Sequence, residues 1–406
     1  MKSTLSLLLT SFIIFVHISP YKTNPKNDVK TDGLNRSGYT FTVDVSKINS
    51  KYSEIPSAIF RNKLVIVSSK KIGAIGNGID KNTKQPYSNL FCTDIDGSDQ
   101  FSLPILFSRF LNSKGNEGQV SFSPDEHTIY YTRSERKNSS NYKLYKAELK
   151  KDSYGKWINN TLLSVSGEDF SIETPYVSAD GKFLYFSSNM EGGYGGFDLY
   201  KALIQKDGSL TEPINLGNIV NTEKDEKYPF VSRNGKELFF SSKGHNSQGG
   251  FDIFISNNQR NLNYTEPRSL GRKINSTKDE IAFTLINEDK GVFSSDEDNM
   301  RKRFNMYRFN ARAIYQNLEG IVATEDNKIL PNTIVVLYDD NDKELERQMT
   351  GKNASYSFKI RPFENYHLKA LKDGFNEVVV EFKSNENVMD LAFKENLKLS
   401  SNVVKK

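Results

Sequence analysis

Two aspartates in a repeated Gly-Gly-Phe-Asp motif, Asp198 and Asp252, are the clearest candidates for metal chemistry in the sequence. Carboxylate oxygens are hard ligands that suit calcium. Each aspartate follows two glycines and a phenylalanine and precedes a strand, and this position instead favours a turn in which the carboxylate accepts backbone N–H groups. The acidic runs 296–299 and 339–342 lack the spacing of a calcium-binding loop and are predicted to be solvated loops. We therefore predict no metal site.

Groups for nucleophilic or acid–base chemistry are scattered along the chain. The histidines do not share metal-ligand spacing, and they are His17, His127, His245 and His367. Cys92 is the only cysteine, so no intramolecular disulfide can form. Neither a nucleophile elbow nor a phosphate-binding glycine loop is present in the sequence. These observations predict no catalytic residue and no cofactor, and hence a chain that is not an enzyme.

A repeated sequence pattern predicts the strands on which any functional residues must lie. Five segments each contain two strands, the second ending in Ser or Thr, and these endings fall at positions 68, 132, 187, 241 and 294. A third strand follows each of them, as in Leu199–Ala202, and a short fourth strand precedes the next copy. Turns such as Asp180-Gly181-Lys182 supply the residues that a tight hairpin needs. The repeats predict an all-β fold, a β-propeller of four-stranded blades over residues 39–312.

Closure of the predicted ring follows from an unmatched strand at each end. The last repeat lacks its fourth strand, and residues 43–50 resemble the fourth strand and exit at 270–276. We therefore expect residues near 39–46 to complete the last blade. This gives five blades, with six as the alternative.

The pattern changes after residue 317. Five or more short strands separated by turn residues, between 317 and 393, predict a small transthyretin-like β-sandwich. The polar tail, 394–406, is predicted to be frayed.

The N-terminus and the charge balance indicate where the chain acts. A basic start followed by an apolar run to Ile18 predicts a signal peptide over residues 1–19 and a linker over 20–38. Export to the periplasm or the outer membrane follows, with no transmembrane span in the mature chain. The 55 basic and 50 acidic residues are interspersed without a basic stripe, so no nucleic-acid partner is expected.

Residues 178–200 and 232–254 share the pattern Ser-x-Asp/Asn-Gly-Lys-x-Leu-Tyr/Phe-Phe-Ser-Ser, followed by Gly-Gly-Phe-Asp. This pattern resembles the propeller repeats of Bacteroidetes envelope proteins and is more distantly similar to TolB. The segment 318–382 resembles the carboxypeptidase regulatory-like sandwich that follows such propellers. The resemblance implies a cell-envelope role, in some members with type IX secretion. An OmpA-like domain of the kind found in that family is absent from this sequence, so its peptidoglycan function is not carried over.

The function predicted from these features is a non-enzymatic scaffold that binds an envelope protein through loops at a propeller face. The candidate contact residues lie in two loops and are Met190, Tyr194, Phe197, His245, Gln248 and Phe251. The alternative is a carbohydrate- or peptidoglycan-binding module that uses exposed Tyr and Phe. The strand aromatics are predicted first to fill the spaces between blades, and sugar stacking by some of them is the alternative; they are Tyr176, Tyr185, Phe186, Tyr228, Phe230, Phe239 and Phe240. A propeller hydrolase would require acidic residues around the central channel, and none are evident in the sequence.

Overall fold

The computed structural model describes residues 35–73, 78–96, 100–113, 115–135, 138–259, 263–296, 303–384, 386 and 392–402. The regular elements of these residues are 28 β-strands without a helix, which confirms the all-β prediction. None of the described residues forms a helix long and apolar enough to cross a membrane. The predicted signal peptide, most of the linker and residues 297–299 of one acidic run lie outside the described ranges.

The repeats form four-stranded antiparallel sheets, of which four are made from consecutive strands. The first contains β2 to β5, at Glu54–Phe60, Lys63–Ser68, Asn89–Asp94 and Ile105–Leu106. The second contains β6 to β9, at Glu117–Phe122, Thr128–Ser134, Tyr142–Leu149 and Trp157–Leu162. The third contains β10 to β13, at Ile172–Val177, Phe183–Ser188, Asp198–Leu203 and Ile214–Asn215. The fourth contains β14 to β17, at Glu226–Val231, Glu237–Ser242, Asp252–Asn257 and Arg268–Ser269.

The fifth sheet takes its outer strand from the start of the described chain. It contains β18 to β20 and β1, at Glu280–Leu285, Lys290–Ser295, Asn305–Ala313 and Tyr39–Val45. Strand β1 pairs with β20 along its whole length, from Tyr39 opposite Ala313 to Val45 opposite Tyr307. The pairing expected for residues near 39–46 is therefore present.

The first strands of the five sheets surround a common axis. Strands β2, β6, β10, β14 and β18 contact one another in cyclic order, and β18 contacts β2. This radial arrangement of four-stranded sheets is that of a β-propeller. Aromatic side chains fill the spaces between sheets, as in the cluster of Phe60, Phe107, Phe122 and Trp157.

The Gly-Gly-Phe-Asp motifs join neighbouring sheets. In the loop before β12, the Gly196 N–H donates to the Lys224 carbonyl at 2.9 Å, and the Phe197 carbonyl accepts the Glu226 N–H at 2.6 Å. The loop before β16 repeats both bonds with Lys278 and Glu280. The backbones approach so closely that a Cβ on Gly249 would overlap the Thr277 backbone. We call each of these contacts an interblade latch.

Asp198 takes the structural role that its position predicts. Its carboxylate accepts the Tyr194 N–H at 2.7 Å and the Gly195 N–H at 3.2 Å. The Asn215 amide donates to it at 2.7 Å. The described residues contain no group of three or more His, Cys, Asp or Glu placed to hold a metal ion.

Residues after 315 form two further four-stranded sheets. One contains β21, β24, β27 and β28, at Gln316–Thr324, Ser355–Ile360, Ala392–Lys394 and Leu397–Leu399. The other contains β22, β23, β25 and β26, at Ile334–Asp339, Glu344–Met349, Asn365–Leu371 and Val378–Lys383. Buried side chains from both sheets share one core, including Leu318, Val335, Phe358 and Leu368.

The start of the tail differs from the sequence-based prediction of a frayed segment. Strand β28 pairs in parallel with β21, with Leu397 opposite Val322. Leu397 and Leu399 are fully buried in the core. Burial of these two apolar side chains holds the segment in place. The polar composition of the rest of the segment gave no indication of this burial.

The last two sheets lie against the propeller through charged and aromatic side chains. The Arg361 guanidinium lies 4.5 Å from the centre of the Tyr39 ring, and the Tyr39 hydroxyl donates to Glu237 at 2.7 Å. The Lys236 ammonium is 2.7 Å from the Asp339 carboxylate. Strand β1 therefore supports both the ring and this contact.

Candidate functional site

Five glutamates lie at one end of the propeller axis. The inner strands run in the same direction, and each has a glutamate at its first or second position: Glu54, Glu117, Glu173, Glu226 and Glu280. The sequence alone does not identify these glutamates as a set, and the described residues that line the axial cavity include none of them. Successive members of the set are 53 to 63 positions apart in the sequence, and only closure of the ring brings them to one end.

Four of these glutamates are held by a Ser or Thr four residues earlier. The Thr222 hydroxyl donates to Glu226 at 2.7 Å and its N–H donates at 2.8 Å. Ser276 makes the same two bonds to Glu280, and Ser50 makes them to Glu54. These carboxyl groups are buried, and their role is to fix the connection between sheets.

Burial makes this end of the ring sensitive to pH. It raises the pKa of Glu280 to about 7 and that of Asp252 to about 6, because water is excluded from the charged forms. Both pKa values lie above those of the unfolded chain, so the folded state binds more protons in this window. The stability that these two groups contribute is present below their unfolded-state pKa values and is lost as pH rises through about 6 for Asp252 and about 7 for Glu280.

We expect the free energy of unfolding to fall by roughly 2 kcal/mol between pH 5 and pH 8. The substitution Glu280→Gln, a neutral near-isostere, should flatten this dependence, whereas Glu344→Gln at an exposed ion pair should not. Denaturant unfolding at the two pH values measures both. An unchanged slope in the Glu280→Gln variant would show that this carboxyl group does not titrate in the window.

Glu173 is the exception among the five glutamates. In β10, the position that holds the buried glutamate in the other sheets is occupied by Ile172. Ile172 lies opposite Ser188, and Glu226 occupies the same place opposite Ser242 in the next sheet. Glu173 is shifted by one residue, and its carboxylate lies 2.7 Å from the Lys227 ammonium. The two side chains are 19% and 16% exposed, so this ion pair is accessible from solvent. The Lys227 ammonium also lies 3.5 Å from the centre of the Phe197 ring.

Two tyrosines lie beside this ion pair. Burial raises the pKa of Tyr142 and Tyr228, and the Glu173 carboxylate raises the pKa of both further. Both phenols are therefore protonated and able to donate, and neither hydroxyl has a hydrogen-bond partner among the described residues. The Tyr142 ring covers Gly118, where an added Cβ would lie 3.1 Å from the ring.

The axial cavity beneath these groups is narrow. Tyr228, Gln119 and Thr174 contribute to its lining, and its volume is about 20 Å³. That space is enough for about one water molecule. A larger ligand would therefore lie at the mouth. We call the mouth residues Tyr142, Glu173, Phe197, Lys227 and Tyr228 the axial site.

The structure brings some of the predicted contact residues to this face. Phe197 belongs to the axial site, and Tyr194 in the same loop is half exposed. Phe251 is the equivalent of Phe197 in the next sheet and lies 4.6 Å from the Lys243 ammonium. Gln248 is exposed beside it.

The other two predicted contact residues pack within the propeller. The imidazole of His245 is bonded through Nε2 to the Val220 carbonyl at 2.8 Å, and its ring centre lies 5.5 Å from that of Phe254. Met190 is half buried against a hydrophobic cluster that contains Phe186.

Sequence reasoning missed Tyr142, Glu173 and Lys227. The available signal was a departure from the repeat, since the glutamate of one copy is displaced by one residue from its place in the others. Tyr228 was among the aromatics considered for sugar stacking. The rest of that set are buried in the core or tied to backbone, and the hydroxyl of Tyr176 donates to Val231 at 2.7 Å.

No family model matches the chain, and no curated protein sequence matches it. Its structure is similar to that of a protein assigned as TolB from Agrobacterium tumefaciens, at 15% identity and a TM-score of 0.32, over 51% of this chain and 63% of that one. It is also similar to a glycoside hydrolase, at 11% identity and a TM-score of 0.47, over 66% of this chain and 90% of that one. A family 117 glycoside hydrolase from Zobellia galactanivorans matches at 10% identity and a TM-score of 0.44, over 68% and 91% of the two chains.

Glycoside hydrolases recur among the similar structures. This finding contradicts the two predictions of a non-enzymatic protein-interaction scaffold and of a chain that is not an enzyme, and neither is retained. At these identities and TM-scores, the activities of those proteins do not transfer to this chain. Its function is inferred below from its own residues.

Proposed function

We propose that the propeller binds carbohydrate at the axial site. The observation that carries the proposal is a pair of tyrosine hydroxyls that have no hydrogen-bond partner among the described residues and lie beside the accessible Glu173–Lys227 ion pair. Binding sites commonly combine aromatic walls with a few convergent polar groups, and the axial site has both.

The residue types suit a sugar ring. A sugar presents apolar C–H faces that pack on the aromatic rings of Tyr142, Phe197 and Tyr228. Its hydroxyl groups accept from the Lys227 ammonium and the tyrosine hydroxyls, and donate to the Glu173 carboxylate. Bonds to the two charged groups are the stronger ones. The narrow cavity below limits the ligand to the mouth, which suits the end or one face of a glycan chain.

The ligand class follows from the predicted location. We infer that residues 1–19 direct export, that 20–38 are a linker, and that the chain works in the periplasm or at the outer membrane. The partner is then a glycan of the cell envelope, with peptidoglycan the first to test. The resemblance of the repeats to those of Bacteroidetes envelope proteins supports this inference.

The domain organisation is part of the same proposal. We infer that the five sheets are the blades of a five-bladed propeller over residues 39–312, closed by β1. The two sheets over residues 317–393 are inferred to be a carboxypeptidase regulatory-like, transthyretin-like sandwich. Its role is to hold the propeller through the contacts around Tyr39 and Lys236.

A glycan array followed by sedimentation with isolated peptidoglycan tests the proposal on the full chain. We expect Tyr142→Phe and Glu173→Gln each to weaken binding about tenfold, because each removes a hydrogen bond to the ligand while keeping the shape of the side chain. The control Glu344→Gln, at an exposed pair in the second region, should leave the affinity unchanged. Reducing-end release in the same mixtures shows whether the bound glycan is also cleaved.

Two outcomes would overturn the proposal. One is the absence of any glycan ligand on the array and in sedimentation. The other is glycan binding that neither Tyr142→Phe nor Glu173→Gln alters, which would place the sugar elsewhere on the chain.

A further inference from the structure

The hairpin between β8 and β9 presents a basic and aromatic tip. Its turn, residues 150–156, is closed by the Lys150 N–H, which donates to the Lys156 carbonyl at 2.8 Å. Lys150, Lys151 and Lys156 are exposed, and Tyr154 between them is fully exposed at 102%. The Tyr154 ring is therefore available for contact with another surface.

A second loop extends the tip. The Ser108 hydroxyl donates to the Gly155 carbonyl at 3.4 Å, which joins the segment after β5 to the hairpin. The Lys156 ammonium lies 5.6 Å from the centre of the Phe110 ring, and Phe110 is 54% exposed. We call these exposed residues the rim patch: Arg109, Phe110, Lys150, Lys151, Tyr154 and Lys156.

The rim patch is anchored to the propeller core by Trp157, which follows it directly in the sequence. Trp157, the first residue of β9, is almost fully buried. Its ring centre lies 5.7 Å from that of Phe60 and 5.8 Å from that of Phe122. The patch also lies at the outer edge of two adjacent sheets, since β5 and β9 are their outermost strands. It therefore projects away from the axial site.

Four positive charges of the rim patch are unneutralised. Arg109, Lys150, Lys151 and Lys156 form no ion pair within the described part of the chain, and Asp152 is the one acidic residue in the turn. By contrast, Lys227 and Lys243 on the same propeller are paired with carboxylates. The rim patch therefore carries a local excess of positive charge in a chain whose total charge is nearly balanced.

We propose that the rim patch docks the chain on a surface of anionic lipid headgroups. The cations are attracted to the negative surface, and the contribution of each lysine is additive. Exposed aromatic side chains enter the boundary between headgroups and acyl chains. Charge complementarity with two protruding aromatic rings distinguishes such a surface from a soluble anion, which would use the charges alone.

Co-sedimentation of the full chain with vesicles tests this docking. We expect binding to vesicles of phosphatidylglycerol and phosphatidylcholine, little binding to phosphatidylcholine alone, and release by salt. The double variant Lys150→Glu/Lys151→Glu should lower the partition constant about fivefold or more per lysine. Phe110→Ala/Tyr154→Ala should also lower it while leaving the charge intact.

The matched control carries the same charge change at exposed lysines of the second region, Lys343→Glu/Lys352→Glu, and should bind like the parent chain. All of these side chains are exposed, so thermal unfolding should be unchanged in every variant.

Three results would each overturn the proposal: equal binding to both kinds of vesicle, patch variants that bind normally, or binding to a soluble polyanion as tight as to the anionic vesicles. The Glu173→Gln variant should still bind vesicles, which separates this test from that of the axial site.

Discussion

Replacing Phe41 by alanine is expected to lower the free energy of unfolding by about 3–5 kcal/mol. Phe41 lies on β1, the strand that completes the last sheet, and its side chain is buried. Its ring centre lies 5.8 Å from that of Phe309 in an edge-to-face contact. Truncation leaves a cavity between β1 and the core of the fourth and fifth sheets. Equilibrium unfolding in denaturant measures the loss.

The matched control is Phe110→Ala, which removes the same side chain from an exposed site. It should change the free energy of unfolding by less than about 0.5 kcal/mol. Similar small losses in both variants would mean that β1 is not needed to hold the ring closed.

The second large effect concerns the interblade latch before β16. Gly249→Ala is expected to lower the free energy of unfolding by about 3 kcal/mol. The added Cβ would overlap backbone atoms of Thr277 and Lys278, and backbone cannot rotate away as a flexible side chain can. Relief of the overlap requires separation of two neighbouring sheets. Thermal unfolding followed by circular dichroism reports the shift.

Gly351→Ala is the corresponding control. Its backbone needs no left-handed conformation, and the nearest atom to an added Cβ is the Asn353 side-chain oxygen at 3.8 Å. We expect little change or a slight gain in stability, because alanine restricts the unfolded chain more than glycine does. Equal destabilisation by the two alanines would argue against a close backbone approach at the latch.

The strands of the propeller could be predicted because each repeat carries its own local information. The predicted third strand Leu199–Ala202 lies within β12, where apolar residues follow the glycine turn. The pairing of β1 with β20 could also be predicted, because residues 43–50 repeat a pattern found after the fourth sheet. Local hydrophobic pattern and turn chemistry determine such elements.

Strand β28 could not be predicted in this way. It has three residues, and it is held by parallel pairing with β21, about 75 positions earlier. A short polar segment with two leucines has no local pattern that distinguishes it from a tail. Long-range pairing decided its conformation.

The axial site was hidden from the sequence for a related reason. Glu173 and Lys227 are 54 positions apart and belong to different sheets, and Tyr142 belongs to a third. Each residue is unremarkable in its own strand. Their chemistry arises only where the inner strands meet around the axis.

The pairing of β1 with β20 also sets an order of events during synthesis. Residues 39–45 are made before the rest of the ring, yet their partner strand, residues 305–313, is the last of its strands to be made. Until then β1 has no partner in its sheet, and closing so long a segment is slow. The first strand of the ring to be made is therefore the last to find its place in a sheet, so the propeller cannot close before residue 313 has been added.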